Sequence, residues 1–439
     1  MNLLARRLYR NLNYQELLPE EKQTFKLHLG YTVFDNFVLG VLALNEFVFL
    51  RSLNGSSYQL SFLFQFSVLA FIFLIFFSEW LKRVSNKQKL IRLVGIATRA
   101  PLAMLLFFPR SAEAMTANPV YHYIFLLIFL IYYMGNPIIF PTINLFLKSN
   151  YRHENFSKLY SYATLSGKVL MLIVSFAYGL LLDYDKYAYT YVFVLAAVAG
   201  VLSILLLSRI SYTETSTAII KGGFLASVKE SALGMRRIMK NNTPFRHFEM
   251  GFLFYGFAFM STVTVMTIFF EKELGLNYFS VATYKNSYNI IALFLIPFFG
   301  RVLGRIDPRK FAAITFASIM LYLLSLVLTH YFPAHTQIGN FKLFYSMIPF
   351  VLFHSVFAST MSLLWSIGSA YFCKPHEAGE YQSVHLFLTA TRAVFAPLLG
   401  VLFYELYGFV FTFIIGAIAL FIAILIMIWS YRRERGGNF

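Results

Sequence analysis

Apolar residues along this chain cluster in twelve long runs separated by polar connections. The runs cover 29–50, 57–80, 90–108, 120–147, 158–182 and 188–208, then 247–270, 279–303, 311–331, 345–371, 381–404 and 409–431. Each holds about 20 residues or more, enough for a helix to cross a hydrocarbon layer of ~30 Å. Alternation over ~10-residue segments, the mark of a membrane β-barrel, is absent. The pattern therefore predicts an all-α protein with twelve transmembrane helices. The fourth run carries Gly135-Asn136-Pro137 and Pro141. It predicts a kinked span, because neighbouring helices can satisfy the backbone groups that proline frees.

The second half of the pattern repeats the first. Ser56 to Lys89 aligns with Tyr278 to Phe311 at an offset of 222 without a gap. Phe76 and Phe77 fall on Phe298 and Phe299, Ser78 on Gly300, Arg83 on Arg305 and Lys87 on Arg309. Asp183 and Glu405 close the fifth and eleventh runs at the same offset, and His153-Glu154 matches His376-Glu377 at 223. Two pseudo-symmetric six-helix bundles follow, 29–208 and 247–431, a recurrent plan for transporters. Residues 1–28 precede them, 209–246 join them and 432–439 form a tail. The joining segment contains LASVKESALGMRRIMKN, with apolar residues at helical spacing, which predicts a helix lying on the membrane. LARRLYRNL near the N-terminus fits either a short amphipathic helix on the inner surface or a disordered tail.

Composition agrees with this plan and charge orients it. Hydrophobic residues make up 58% and charged residues 13%, against about 25% charged in soluble domains. A net charge of +17 would suit nucleic acid, but its distribution argues otherwise. With charges at run ends counted in their loops, 27 lysines and arginines fall in the tails and even-numbered connections, and 5 in the odd-numbered ones. That asymmetry is the positive-inside rule with both termini cytoplasmic. The first 28 residues lack the apolar core of a cleavable signal peptide. The single cysteine, Cys373, excludes a disulfide framework. The expectation is a multi-pass protein of a bacterial inner (plasma) membrane.

The turn after the eighth run resembles a loop motif of the major facilitator superfamily. That family carries Gly-x-x-x-Asp-Arg/Lys-x-Gly-x-Arg/Lys-Arg/Lys between its second and third helices and a weaker copy between the eighth and ninth. Here Gly300, Arg305, Arg309 and Lys310 match the second copy, with Gly304 at the family's Asp position and Asp307 at its second Gly. The first copy keeps Arg83 and Lys87. The resemblance implies the superfamily fold, a cytoplasmic gate formed by these residues, and alternating access usually driven by an ion gradient.

Ionisable side chains inside the runs cost roughly 2.5–3.5 kcal/mol each on insertion scales, so each calls for a partner or a role. Lys168 and Arg392 lie ~15–17 Å into the fifth and eleventh runs, near the midplane. As repeat partners they are candidates to line one substrate cavity. Arg392 shares a helical face with Thr389 and His385. Lys285 and Asn289, a polar stripe in the eighth run, and Asn136, in the kinked fourth, are further candidates for the substrate cavity. Some carboxylate carriers of the superfamily place cations in their eighth and eleventh helices, an arrangement that Lys285 with Arg392 resembles. Asp35 and Glu46 fall on one helical face of the first run, roughly 16 Å apart, and are candidates for ion coupling. Arg99 lies mid-run in the third span. Glu249, at the edge of the seventh, reads as solvated.

The embedded tally is four cations, Arg99, Lys168, Lys285 and Arg392, against two acids, a surplus that favours an organic anion. No HExxH, zinc spacing, P-loop or GxSxG occurs, so no catalytic residue, metal site, cofactor or enzyme activity is expected. The function expected is secondary-active transport of a small solute, symport, antiport or exchange, with a proton as the coupling ion and the lipid bilayer as environment. The expected state is a monomer that binds no nucleic acid. The alternative is a transporter-like membrane sensor or assembly partner without transport activity, suggested by the eroded first copy of the motif.

Overall fold

The computed structural model describes residues 17–84, 86–212, 223–374 and 377–436. LARRLYRNL lies outside them. In the first part of the chain the helices are α1 (Pro19–Leu42), α2 (Asn45–Arg51), α3 (Ser57–Leu69), α4 (Leu74–Arg83), α5 (Lys87–Arg99), α6 (Ala112–Ala117), α7 (Val120–Met134), α8 (Asn136–Asn150), α9 (His153–Tyr184) and α10 (Tyr189–Leu207). Then come α11 (Phe224–Asn241), α12 (Thr243–Ile268), α13 (Tyr278–Leu303), α14 (Pro308–Tyr331), the strands β1 (His335–Ile338) and β2 (Phe341–Phe344), α15 (Met347–Ile367), α16 (Ala378–Ala393) and α17 (Ala396–Gly436).

Among the described residues, ten helices are long and apolar enough to cross a membrane. The difference from twelve has local causes. The second run is broken by a 3₁₀ turn over Ala70–Phe73, between α3 and α4. The last two runs follow one another closely enough to form one continuous stretch, Glu380–Glu434. Gly408, at φ 82° and ψ −176°, turns the chain between those two runs, a conformation that suits glycine because it lacks a Cβ. The fourth run is divided at Gly135, with Pro137 in the first turn of α8, as its kink predicts. The first helix begins at Pro19, well before the apolar run does, because Pro19, Glu20 and Glu21 form an acidic first turn.

The chain divides into two compact units: residues up to Asn45 with Phe73–Phe224, and Glu46–Ile72 with Leu225–Phe439. In the first unit α9 and α10 pack along α1, and α10 also packs on α5. The approach of α1 to α9 is close: a Cβ on Gly40 would stand 2.8 Å from the Met171 carbonyl oxygen. Glu21 joins the ends of these helices. Its buried carboxylate accepts from the Leu18 amide, the Arg152 amide at 3.0 Å and Asn155 Nδ2 at 3.0 Å. It therefore caps α1 and the start of α9 together.

In the second unit α17 packs on α12 and α14, α15 on α13 and α14, and α3 on α12, α16 and α17. Gln65 of α3 donates to the Val394 carbonyl at 3.0 Å, at the interruption between α16 and α17. Pro397 next to that interruption has no N–H to continue the helical ladder. The hydrophobic pattern carried no sign of the β1–β2 hairpin, which turns on Gly339 at φ 55°. It docks on α13: Tyr284 Oη donates to the Lys342 carbonyl at 3.1 Å and accepts from the Phe344 amide at 2.9 Å.

The approach of α12 to α17 leaves no room at Gly400, where a Cβ would strike the Ser261 carbonyl oxygen. Gly400→Ala is expected to cost about 1–3 kcal/mol through overpacking. Thermal unfolding of the purified protein should show a lower midpoint than for Gly304→Ala, where a Cβ meets nothing closer than 3.7 Å.

Candidate functional site

The charged residues of the spans fall into several groups, each inside one unit. The first is the basic turn between α13 and α14. Asp307 is the N-cap of α14, accepting from the Arg309 amide at 2.8 Å and from its guanidinium at 2.9 and 2.8 Å. Arg309, nearly buried, also pairs with Glu434 and donates to the Ser430 carbonyl at 3.2 Å, while Lys310 lies 4.2 Å from the centre of the Tyr431 ring. The turn is thus fastened to the end of α17. Asp307, Arg309, Lys310, Tyr431 and Glu434, with Arg305, Tyr371 and Asn242, line a cavity of about 640 Å³. Gly300 has open space where a Cβ would stand. Arg83, at the equivalent turn of the first unit, is exposed.

The repeat is legible in this fastening. Lys87, the counterpart of Arg309, starts α5 and lies 5.5 Å from the Tyr212 ring, while Gln88 Nε2 donates to the Ile210 carbonyl at 2.6 Å. The start of α5 is thus tied to the segment that follows α10, as the start of α14 is to the end of α17. Asn242 stands 221 residues after Glu21 and does similar work, capping α12 and donating to the Phe372 carbonyl at 2.7 Å and to Tyr381 Oη at 3.0 Å. His153 and Glu154 begin α9, whereas His376 lies outside the described residues.

Within the spans of the first unit, Asp35 accepts from Tyr31 Oη at 3.4 Å and lies in the field of Arg99. Arg99 is only 2% exposed. Its guanidinium stands 5.1 Å from the Tyr132 ring centre and donates to Thr98 Oγ1 at 2.7 Å. Gly200 makes room for it, since a Cβ there would come within 2.7 Å of Arg99 Cγ. Asn136 is half-buried at the start of α8. Lys168 sits at the middle of α9 on an exposed stripe with Leu165, Val169 and Ile173. It has no acidic partner among the described residues.

In the second unit Lys285 Nζ lies 3.7 Å from Glu46, both side chains partly exposed. Asp35 and Glu46 fall in different units. The first run is interrupted at Ala43-Leu44, where the Leu44 amide bonds back three residues to Val41. Each acid has its own partner within its own unit. Asn289 turns back on its helix, donating to the Lys285 carbonyl at 2.7 Å. Beside this pair His354 is sandwiched between Tyr288, 3.7 Å away centre to centre, and Tyr322 at 4.6 Å. His354 was missed in the sequence; its position inside the tenth apolar run was the available signal.

Arg392 lies in the best-enclosed group. It is 2% exposed and donates to Thr389 Oγ1 at 2.6 Å. Its Nε packs onto Gly256, where any Cβ would collide with it. Two turns earlier on α16, His385 Nδ1 is 2.8 Å from Glu249 Oε1, with side chains 2% and 1% exposed. Glu249 is therefore a buried partner and not a solvated edge residue. Its place in the first two turns of α12 made it look terminal, but α16 covers it. With Glu249 included, the embedded balance among the described residues is four cations to three acids, and Lys168 has no acid beside it among them.

The sequence model of the Major Facilitator Superfamily matches residues 30–391. The chain belongs to the Major Facilitator Superfamily. Solved structures of similar fold include a mutant of the nucleoside transporter NupG, with TM-score 0.64 and 14% identity, covering 93% of this chain and 100% of that one. A peptide transporter POT in complex with sulfate gives TM-score 0.65 and 15% identity, covering 94% of each. At such identities the likeness is one of fold. Among curated proteins none matches the sequence. As a superfamily member the chain is a multi-pass membrane transporter and not an enzyme.

The Asp307 clamp lies between two spans and gives a pH prediction. Burial, the largest influence, pushes its carboxyl up. The Arg309 side-chain and amide hydrogen bonds, with the charges of Arg309 and Lys310, overcome this and leave it below its ordinary value. A depressed carboxyl stabilises the fold above the unfolded value, about pH 4, and the gain is lost as pH falls through the lower folded value. Asp307→Asn should lower the unfolding midpoint by a constant amount from pH 8 to 5, and the gap to wild type should shrink below about pH 4.

Proposed function

We propose that this superfamily member is a secondary-active transporter of a small organic anion, coupled to protons. It would act as a monomer in a bacterial inner membrane, with both termini cytoplasmic. Its bundles, 29–208 and 247–431, would expose the substrate path alternately to either side. The observation that carries the anionic reading is Lys168, a midplane cation, exposed and without an acidic partner among the described residues. A lone ammonium at that depth is costly in hydrocarbon and tolerable where it meets water or an anion. Arg392 supports it from the second unit through its buried cationic group, while Lys285 is partly neutralised by Glu46.

Asp35 is the proposed coupling acid of the first unit, being half-buried, hydrogen-bonded to Tyr31 and within the field of Arg99. Glu46 has a fixed partner in Lys285 and takes the same role in the second unit only if that pair opens. The basic turn of Gly300, Arg305, Arg309 and Lys310, with Arg83 in the first unit, is proposed to hold the cytoplasmic end closed through the ties that fasten each turn within its own unit.

Uptake into proteoliposomes under an imposed proton gradient, across a panel of organic anions and neutral solutes, tests this reading. The wild type should accumulate an anion. Lys168→Ala should lower that uptake about tenfold or more, the scale of a lost charged hydrogen bond, and Lys168→Arg should restore part of it. Unchanged anion uptake in Lys168→Ala would overturn the assignment.

A further inference from the structure

Helices α12 and α16 run parallel in a constant register of 136 residues. Phe245 meets Tyr381 with ring centres 4.7 Å apart, Glu249 meets His385, and Gly256 meets Arg392. The two polar contacts are seven residues apart on each helix, so both fall on one seam of the pair. The walls of the seam are aromatic. Phe252 and Trp365 pack edge-on to His385, with centres 4.8 and 5.0 Å away.

The charges on this seam are few. From α12 come Glu249 and Tyr255, and from α16 come Tyr381, His385 and Arg392. From α14, Phe316 packs on Phe252 and stacks on Tyr255, while Tyr322 lies in the field of Tyr255. From α15 and the turn that follows come the rings of Trp365 and Phe372. On α17, Ser430 holds His247 on a different face of α12. Glu249 is thus the one acid on the seam, and it faces both His385 and the field of Arg392.

Glu249 Oε2, His385 Nε2 and Arg392 Nε and Nη1 are buried without a hydrogen-bond partner among the described residues. Buried polar atoms left so are costly, more so when the group is charged. The contacts fit a neutral imidazole: Nδ1–H donates to Glu249 and the Nε2 lone pair stays unused. An imidazolium would bury a second N–H with nothing to accept it. With a neutral imidazole, Arg392 and Glu249 cancel and the seam carries no net charge. One added proton gives it a full positive charge.

We propose that Glu249 and His385 together bind one exchangeable proton, with Arg392 as the fixed counter-charge that makes the proton-free form neutral. The proton comes from water and returns to it, and it resides on Glu249 Oε2 or His385 Nε2, the two atoms that the 2.8 Å contact between Oε1 and Nδ1 leaves free. The packed seam holds the neutral, proton-free form. Loading requires water to reach Oε2 or Nε2, and so requires α12 and α16 to part. This deepens the transport reading, on which the use of the proton for coupling rests.

Acid-induced infrared difference spectra of the full chain in nanodiscs test the proposal without any substrate. The wild type should show a carboxyl or imidazolium band that appears on acidification and disappears on return to alkaline buffer. The band should be lost in Glu249→Gln and displaced in His385→Gln. If Glu249→Gln does not yield folded protein, His385→Gln and Arg392→Gln decide the matter, since each must move the band by changing its partner or its field. A band that is absent in the wild type, or unchanged in these variants, overturns the pair. A protein that shows the band and carries no solute would refute transport and leave the proton site standing.

Discussion

Every charge placed inside the hydrocarbon layer must find a partner or a wet surface, and that requirement shapes both units. Arg99 and Arg392 meet it in similar ways. Each is almost wholly buried, each gives a guanidinium N–H to a threonine hydroxyl on its own helix, and each rests where a glycine on a facing helix makes room. Each has an acid in its field, Asp35 for Arg99 and Glu249 for Arg392. Burying such charges is expensive, and breaking one side of a pair strands the other. Gly200 and Gly256 are therefore as important to these groups as the acids.

A second consequence concerns the ends of the helices. Helix termini carry unsatisfied backbone groups, and the repeat satisfies them at equivalent places with different chemistry. Glu21 uses a carboxylate to join α1 to the start of α9, and Asn242 an amide to join α12 to α16. Lys87 reaches a tyrosine just past the end of α10 and Arg309 one near the end of α17, and Arg309 also holds Asp307 and Glu434. The acid absent at Gly304 is not needed for this tie, because Asp307 supplies one from the cap position.

Much of this architecture was legible in the chain. Apolar runs of span length, the 222-residue repeat and the basic turn lead to the helices and the family, because the bilayer penalises any other placement of such residues. The polar partners were harder to see. Glu249 looked terminal on α12, although a helix 136 residues away covers it. Asp35 and Glu46 share one apolar run, yet each finds its partner in a different unit. The hairpin over His335–Phe344 carried no alternation strong enough to read, and its docking depends on Tyr284 and Lys342 from distant segments. Periodicity reports which face of a helix is apolar, and partners across helices need coordinates.

The claim on which the functional account depends is that the exposed face of α9 around Lys168 meets water and not lipid. Cys373 is the single cysteine, so Cys373→Ser with Leu165→Cys places one reporter on that face, beside Lys168. Labelling with a membrane-impermeant maleimide, applied to either side of sealed vesicles with and without a proton gradient, reads its surroundings directly. The account predicts labelling from one side that changes in extent when the gradient is imposed. No labelling from either side under any gradient, as for a lipid-facing residue, would contradict it.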